Sequence, residues 1–280
     1  MQIVQSVDGT PIAYDKVGTG PPVVLVDGAL CGRSFGPMPK LASRLAEHFT
    51  VFNYDRRGRG DSGEQQPYAI EREVEDLEAL VREAGGSAQL CGFSSGAALS
   101  LEAAKRCTGI TRLALYEAPW ILDDAHAPMP VDFLPRLKQL VAEERRGDAI
   151  KMFMNLVGVP GAMVAIMRLT PVWPKLKAVA HTLPNDIALI EPHQQGLSLA
   201  PGELADVTVP ALVLAGGKAP GWMSHSMQEL AKALPHAQHR VLEGQTHNVK
   251  LKVIAPVVTE FFASALQVPA FEQPQRRVRA

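Results

Sequence analysis

Gly92-Phe93-Ser94-Ser95-Gly96 joins a hydroxyl to the small neighbours that a sharp turn requires. It follows an apolar run, residues 88–92, and opens a helical pattern, residues 95–107. A G-x-S-x-G segment between a buried strand and a helix holds its central residue in strained backbone geometry. Side chains at the flanking glycines would clash in so tight a turn. The turn lifts the Ser94 hydroxyl above the sheet edge, at the positive end of a helix dipole that favours developing negative charge. A serine hydroxyl is a poor nucleophile without a base in hydrogen-bond reach. Of the eight histidines, His247, in the segment EGQTHN just after a last short strand, is the candidate base. His48 and His236 close surface helices, His126, His181 and His193 lie in a strand-free stretch, and His225 and His239 flank the penultimate helix and strand.

The elements that must position these residues are legible in the hydropathy pattern. Residues 2–7 and 11–16 alternate around an Asp8-Gly9 turn, which signals a hairpin. Residues 22–26, 50–54, 88–92, 112–117 and 210–215 are continuous apolar runs, as expected of strands buried on both faces. Residues 239–242 add a last short strand. Helical patterns lie between them at 39–48, 71–84, 95–107 and 223–234, with a closing one near 249–266. Strand alternating with helix predicts a parallel sheet with helices on both faces. Residues 123–205 break the alternation: helical pieces at 131–146, 148–157, 161–169 and 171–181 are separated by Gly and Pro. This insertion reads as a lid, and its methionines, Met152, Met154, Met163 and Met167, as lid core or as an apolar roof over a pocket.

Composition narrows the function. Lys and Arg number 28 against 29 Asp and Glu, so no basic field favours nucleic acid. No apolar stretch approaches the roughly 18–20 residues that span a bilayer. The opening MQIVQSVDG lacks the basic flank and apolar region of a signal peptide. Three cysteines imply no disulfide framework. A cytoplasmic protein with a small-molecule substrate, without nucleic-acid or membrane partners, is expected. No spaced His/Cys/Asp set predicts a metal, and no G-x-G-x-x-G follows the first strand, so no cofactor is expected.

The chain resembles the α/β-hydrolase superfamily over nearly its whole length. Besides the elbow and GQTHN it carries VVLVDGALCG, which is similar to the family's oxyanion-loop segment, and YDRRGRGDSG, which is similar to its signature after the fourth strand. The resemblance implies an α/β-hydrolase fold: a mostly parallel eight-stranded sheet with helices on both faces and a helical lid after strand six. The core would be residues 1–122 and 206–268, the lid 123–205, and the tail 269–280 loose. In that family the histidine comes last, which suits His247.

Two positions depart from the family pattern. Its acid commonly follows the seventh strand, where this chain has LAGGKAP with Lys218. Glu117, which ends the sixth strand in YEAP, is the expected substitute; several haloalkane dehalogenases of the superfamily carry their acid there. Asp123 and Asp124 are weaker alternatives. The resemblance places the oxyanion hole at the backbone N–H groups of Ser95 and Ala29. Relatives usually have His-Gly before that loop, and this chain has Asp27-Gly28. A carboxylate there would oppose an oxyanion unless hydrogen-bonded or paired; Arg33, Arg56 and Arg57 are candidate partners. Asp27 is read as loop-stabilising, with an acid/base or substrate-binding role as the alternative. With Asp27, the candidates for lining the site are Leu30, Cys31, Phe93 and Trp120, joined by Met154 and Met163 from the lid and by Lys218. The basic run 55–62 lacks the Lys-Ser/Thr ending of a phosphate loop, and the resemblance gives it a turn-and-salt-bridge role.

Three functions fit. One is an ester or lactone hydrolase working through an acyl-enzyme. Another is the same scaffold used for carbon–carbon hydrolysis, perhydrolysis or a lyase or cyclase step, which the triad residue types cannot distinguish. The third is a binding protein of this fold with slow turnover. A dehalogenase is disfavoured because its attacking group is an aspartate.

Overall fold

A computed structural model describes residues 1–264; the expected loose tail and the last residues of the closing helix lie outside them. Strands β1 (Gln2–Gln5), β2 (Pro11–Val17), β3 (Pro22–Val26), β4 (Thr50–Tyr54), β5 (Ala88–Phe93), β6 (Ile110–Tyr116), β7 (Ala211–Gly216) and β8 (Ala237–Leu242) form one sheet. Its order is β1-β2-β4-β3-β5-β6-β7-β8. Only the β1–β2 and β2–β4 pairs are antiparallel. All six residues of β5 and of β7 are buried, which explains why these strands read as unbroken apolar runs.

The two-residue period sends alternate side chains into two cores. From β3, Val23 and Leu25 meet α1 (Met38–Leu45) and α10 (Leu251–Ala263) through Met38, Leu41, Ile254 and Phe261. Val24 and Val26 face the other way, toward α2 (Ile70–Glu83), α3 (Ser95–Ala104) and α9 (Gly221–Ala233). α3 is apolar nearly all round, as its burial between sheet and neighbouring helices demands.

Between β6 and β7 the chain folds into α4 (Phe133–Ala142), α5 (Arg146–Leu156), α6 (Gly161–Met167), α7 (Val172–Val179) and α8 (Leu183–Ile190). The sequence reading contains no helix at 183–190. Yet α8 is the most buried helix of the insertion, and it packs directly on α3. Leu183 and Ile187 join the same apolar cluster as Ala97 and Leu101. Among the described residues no helix is long and apolar enough to cross a membrane.

Candidate active site

β5 ends at Phe93 and α3 begins at Ser95, so the chain reverses through one residue. Ser94 takes φ 55° and ψ −126°, a conformation that costs a non-glycine residue about 1–3 kcal/mol. The glycines around it are dictated by space. A Cβ on Gly96 would stand 2.2 Å from the Val26 carbonyl oxygen, and one on Gly92 would stand 2.5 Å from that of Gly96. The Ser94 N–H donates to Tyr116 O at 2.9 Å, which ties the elbow to the end of β6. The hydroxyl itself is partly exposed.

Glu117 directly follows β6, with φ 48° and a fully buried side chain. Its Oε1 accepts the Gly216 N–H at 2.7 Å, and its Oε2 lies 2.7 Å from His247 Nδ1. The Tyr116 hydroxyl donates to Thr246 O at 2.6 Å, which holds the loop carrying His247 against the same strand end. The carboxylate therefore reaches the imidazole from β6 rather than from the end of β7. Lys218 is exposed, and its backbone N–H bonds to Gln245 O. Asp123 faces His225 at 3.4 Å instead of His247. The His247 side chain is partly exposed, and among the described residues no hydrogen bond joins it to Ser94. Such nucleophile–base contacts are commonly long before substrate binds.

The third component is the loop after β3. Leu30 has φ 57°, so among the described residues three of the four non-glycine residues with positive φ (Leu30, Ser94 and Glu117; Glu144 is the fourth) belong to this one region. Among the described residues neither the Ala29 nor the Ser95 N–H meets a protein acceptor. The loop's carbonyls, by contrast, are held. Arg59 Nη1 donates to Gly28 O at 2.6 Å and to Cys31 O at 3.3 Å, and Arg56 Nη1 donates to Asp27 O at 3.3 Å. Both guanidiniums also bind Asp186 of α8, at 2.6 Å for Arg56 and 2.7 Å for Arg59. Asp186 further accepts the Ser95 hydroxyl at 2.7 Å. Burial works to raise this carboxyl, but the charges of Arg59 and Arg56 outweigh it, so Asp186 sits below its ordinary range. The basic run after β4 is thus a set of structural ion pairs, with Arg56 also on Glu73 and Arg57 on Asp8 and Asp76. No local signal in the sequence marks Asp186 as their partner.

Asp27 departs from the expected pairing. Arg33 binds Asp15, Asp55 and Asp61; with Arg56 and Arg57 committed as above, none of the three forms an ion pair with Asp27. Its Oδ1 accepts the Gly28 N–H at 2.9 Å, and its Oδ2 has no partner among the described residues. Burial pushes this carboxyl up to about 7, against the pull of the Gly28 N–H and the Arg59 and Arg56 charges. A carboxyl that keeps its proton more tightly when folded loses stability as pH rises from its unfolded value toward 7. Asp27→Asn, which mimics the protonated form, is therefore expected to gain stability over the wild type between pH 4 and 8. The gain saturates at roughly 4 kcal/mol. Urea unfolding of both proteins across that range checks it; a difference that does not widen with pH contradicts the assignment.

A cleft of about 630 Å³ opens beside His247. Of the candidate lining residues, Leu30, Cys31 and Phe93 border it, together with Phe35, Val172 and Leu176. The other expected lining residues lie elsewhere. Trp120 is buried, with its ring stacked 4.1 Å from His193. Met154 packs into the insertion's core, and Met163 is 55% exposed. Asp27 and Lys218 are also absent from the walls. The insertion's share of the cleft comes from α7 and the residue before it rather than from the methionines, because α5 and α6 turn those side chains inward or to solvent. Burial raises the Cys31 thiol well above its ordinary value, which keeps it protonated.

A strained serine elbow, a histidine held by a strand-end carboxylate and a loop with free amides form one constellation on a doubly covered, mostly parallel sheet. Residues 23–251 match the model of the alpha/beta hydrolase family, and the chain belongs to that family. It is 52% identical to an alpha/beta hydrolase of known structure from Sphaerobacter thermophilus DSM 20745, covering 93% of this chain and 100% of that one, with a TM-score of 0.86. It shares the fold of an esterase from Exiguobacterium antarcticum, at 20% identity, a TM-score of 0.71, and coverage of 94% and 99%. It is also 28% identical over 157 residues to the uncharacterized hydrolase YraK of Bacillus subtilis (strain 168). That match spans 54% of this chain and 56% of the relative's length.

Proposed function

We propose that this hydrolase cleaves small to medium carboxylic esters or lactones through an acyl-enzyme on Ser94. The observation that carries the reading is the 2.7 Å contact of His247 Nδ1 with the buried Glu117 carboxylate, beside the strained elbow. Ser94 Oγ attacks the carbonyl carbon while His247 Nε2 takes its proton. Glu117 fixes the imidazole with its proton on Nδ1 and stabilises the imidazolium. The Ala29 and Ser95 N–H groups receive the oxyanion, with the dipole of α3 behind them. His247 then protonates the leaving alcohol and activates the water that releases the acid. The helical insertion acts as a cap whose α7 shapes the substrate cleft. Three free cysteines suit the reducing cytoplasm.

The open Ser94–His247 contact favours one second reading, a small-molecule binder with slow turnover. A fluorophosphonate probe read by intact mass separates the two. One rapid adduct that disappears in Ser94→Ala and slows strongly in His247→Ala is expected of the hydrolase. A folded protein that takes up no probe supports the binder. Labelling without turnover of any ester or lactone points to other chemistry on the same scaffold.

A further inference from the structure

Among the described residues most arginines form ion pairs, whereas Lys105 and Lys232 are the lysines that do. The four arginines near the elbow, Arg33, Arg56, Arg57 and Arg59, each face carboxylates. What sets the cleft apart is that several lysines gather at it. Lys40 of α1 and Lys175 of α7 line it from the core and the insertion respectively, and among the described residues no Asp or Glu lines it. An adjoining depression shares Lys40 and Leu251 and adds Lys250 and Lys252, again without a carboxylate. Among the described residues none of these four lysines forms an ion pair. The chain as a whole carries a net charge of −1, so this local excess is not a reflection of its composition. The lining also includes the apolar side chains of Leu30, Phe35, Phe93 and Val172. A cleft with low-dielectric walls and one sign of charge at its rim concentrates counter-charged ligands.

From this juxtaposition we propose that the cleft selects anionic substrates: esters or lactones bearing a free carboxylate, held between Lys40 and Lys175 while the scissile carbonyl reaches past His247 and Phe93, which line the cleft, to Ser94, which does not. The proposal rests on the ester-hydrolase reading and adds the substrate class to it. The volume lies within the roughly 300–1,000 Å³ of small-molecule sites, enough for a short dicarboxylic half-ester. For monoethyl glutarate, Ser94 Oγ bonds to the ester carbon, ethanol leaves with the proton that His247 returns, and water then frees glutarate.

The test compares kcat/KM for monoethyl glutarate with that for neutral diethyl glutarate. The wild type is expected to favour the monoanion. The ratio should fall roughly five- to twenty-fold in the Lys40→Gln/Lys175→Gln double variant. It should also fall as salt shortens the reach of the field. Lys138→Gln, on the exposed face of α4, should leave the ratio unchanged. Binding of glutarate to Ser94→Ala, measured by isothermal titration with and without the lysine substitutions, needs no turnover. A ratio at or below one that ignores both substitutions and salt, with no glutarate binding, overturns the anionic site while probe labelling leaves the hydrolase standing. Lysine-dependent glutarate binding without labelling overturns the hydrolase and keeps the anion site.

Discussion

Ser94→Ala is expected to lower kcat by about a million-fold, and Glu117→Gln by about a thousand- to ten-thousand-fold, with KM little changed in either. The two losses have different origins. In the proposed mechanism, removing the hydroxyl removes the attacking atom. Glu117→Gln keeps the volume of a fully buried side chain and keeps an oxygen for the Gly216 N–H. It replaces the acceptor 2.7 Å from His247 Nδ1 by an amide that can donate its own proton there. The imidazole is then driven into the wrong tautomer, with no lone pair at Nε2 for Ser94. Lys218→Ala, at the position where the family commonly places its acid, should change kcat/KM by less than about two-fold, because its exposed side chain takes no part in the pair. Steady-state kinetics on one short-chain ester, with circular dichroism to show intact folding, measures all three. A Glu117→Gln enzyme within ten-fold of wild type contradicts the strand-end acid.

What the sequence makes legible follows from how local the determinant is. The buried strands announce themselves as apolar runs, and the serine turn is written in five consecutive residues. Glu117 is readable because it ends such a run, and because the seventh-strand segment offers Lys218 where a carboxylate is common. Strand ends are less legible: β8 begins at Ala237 rather than at His239 because pairing with β7, not its own side chains, sets the limit. Helix α8 carries no such local mark, because Leu183-Pro184 follows a short helical turn without a break and its apolar residues face helices from both the core and the insertion. The methionines of the insertion have the right chemistry for a pocket, but direction decides, and only tertiary packing sets direction. The partners of Asp186 lie 91 to 130 residues away in sequence, beyond any local pattern.

That long-range cluster sets the second large effect. Asp186→Asn is expected to destabilise the fold by about 3–5 kcal/mol, because it leaves Arg56 and Arg59 buried without their shared charge. Its functional consequence should exceed that of an ordinary core substitution. Asp186 joins the Ser95 hydroxyl on one side of the proposed oxyanion site to Arg59, and through Arg59 to the Gly28 and Cys31 carbonyls on the other. Loss of that link lets the two free amides drift apart, and displacements near 1 Å are enough to lower kcat by about a hundred-fold. The pH dependence separates this network from simple loss of packing. With Asp186 held below its ordinary value in the fold, its stabilisation is complete above the usual carboxylate range and is lost as pH falls toward the lowered value. The melting-temperature gap between wild type and Asp186→Asn should therefore be widest near neutrality and close progressively in acid. A gap independent of pH would assign the loss to side-chain packing alone. A stable Asp186→Asn protein with unchanged kcat would detach the insertion from the chemistry of the elbow.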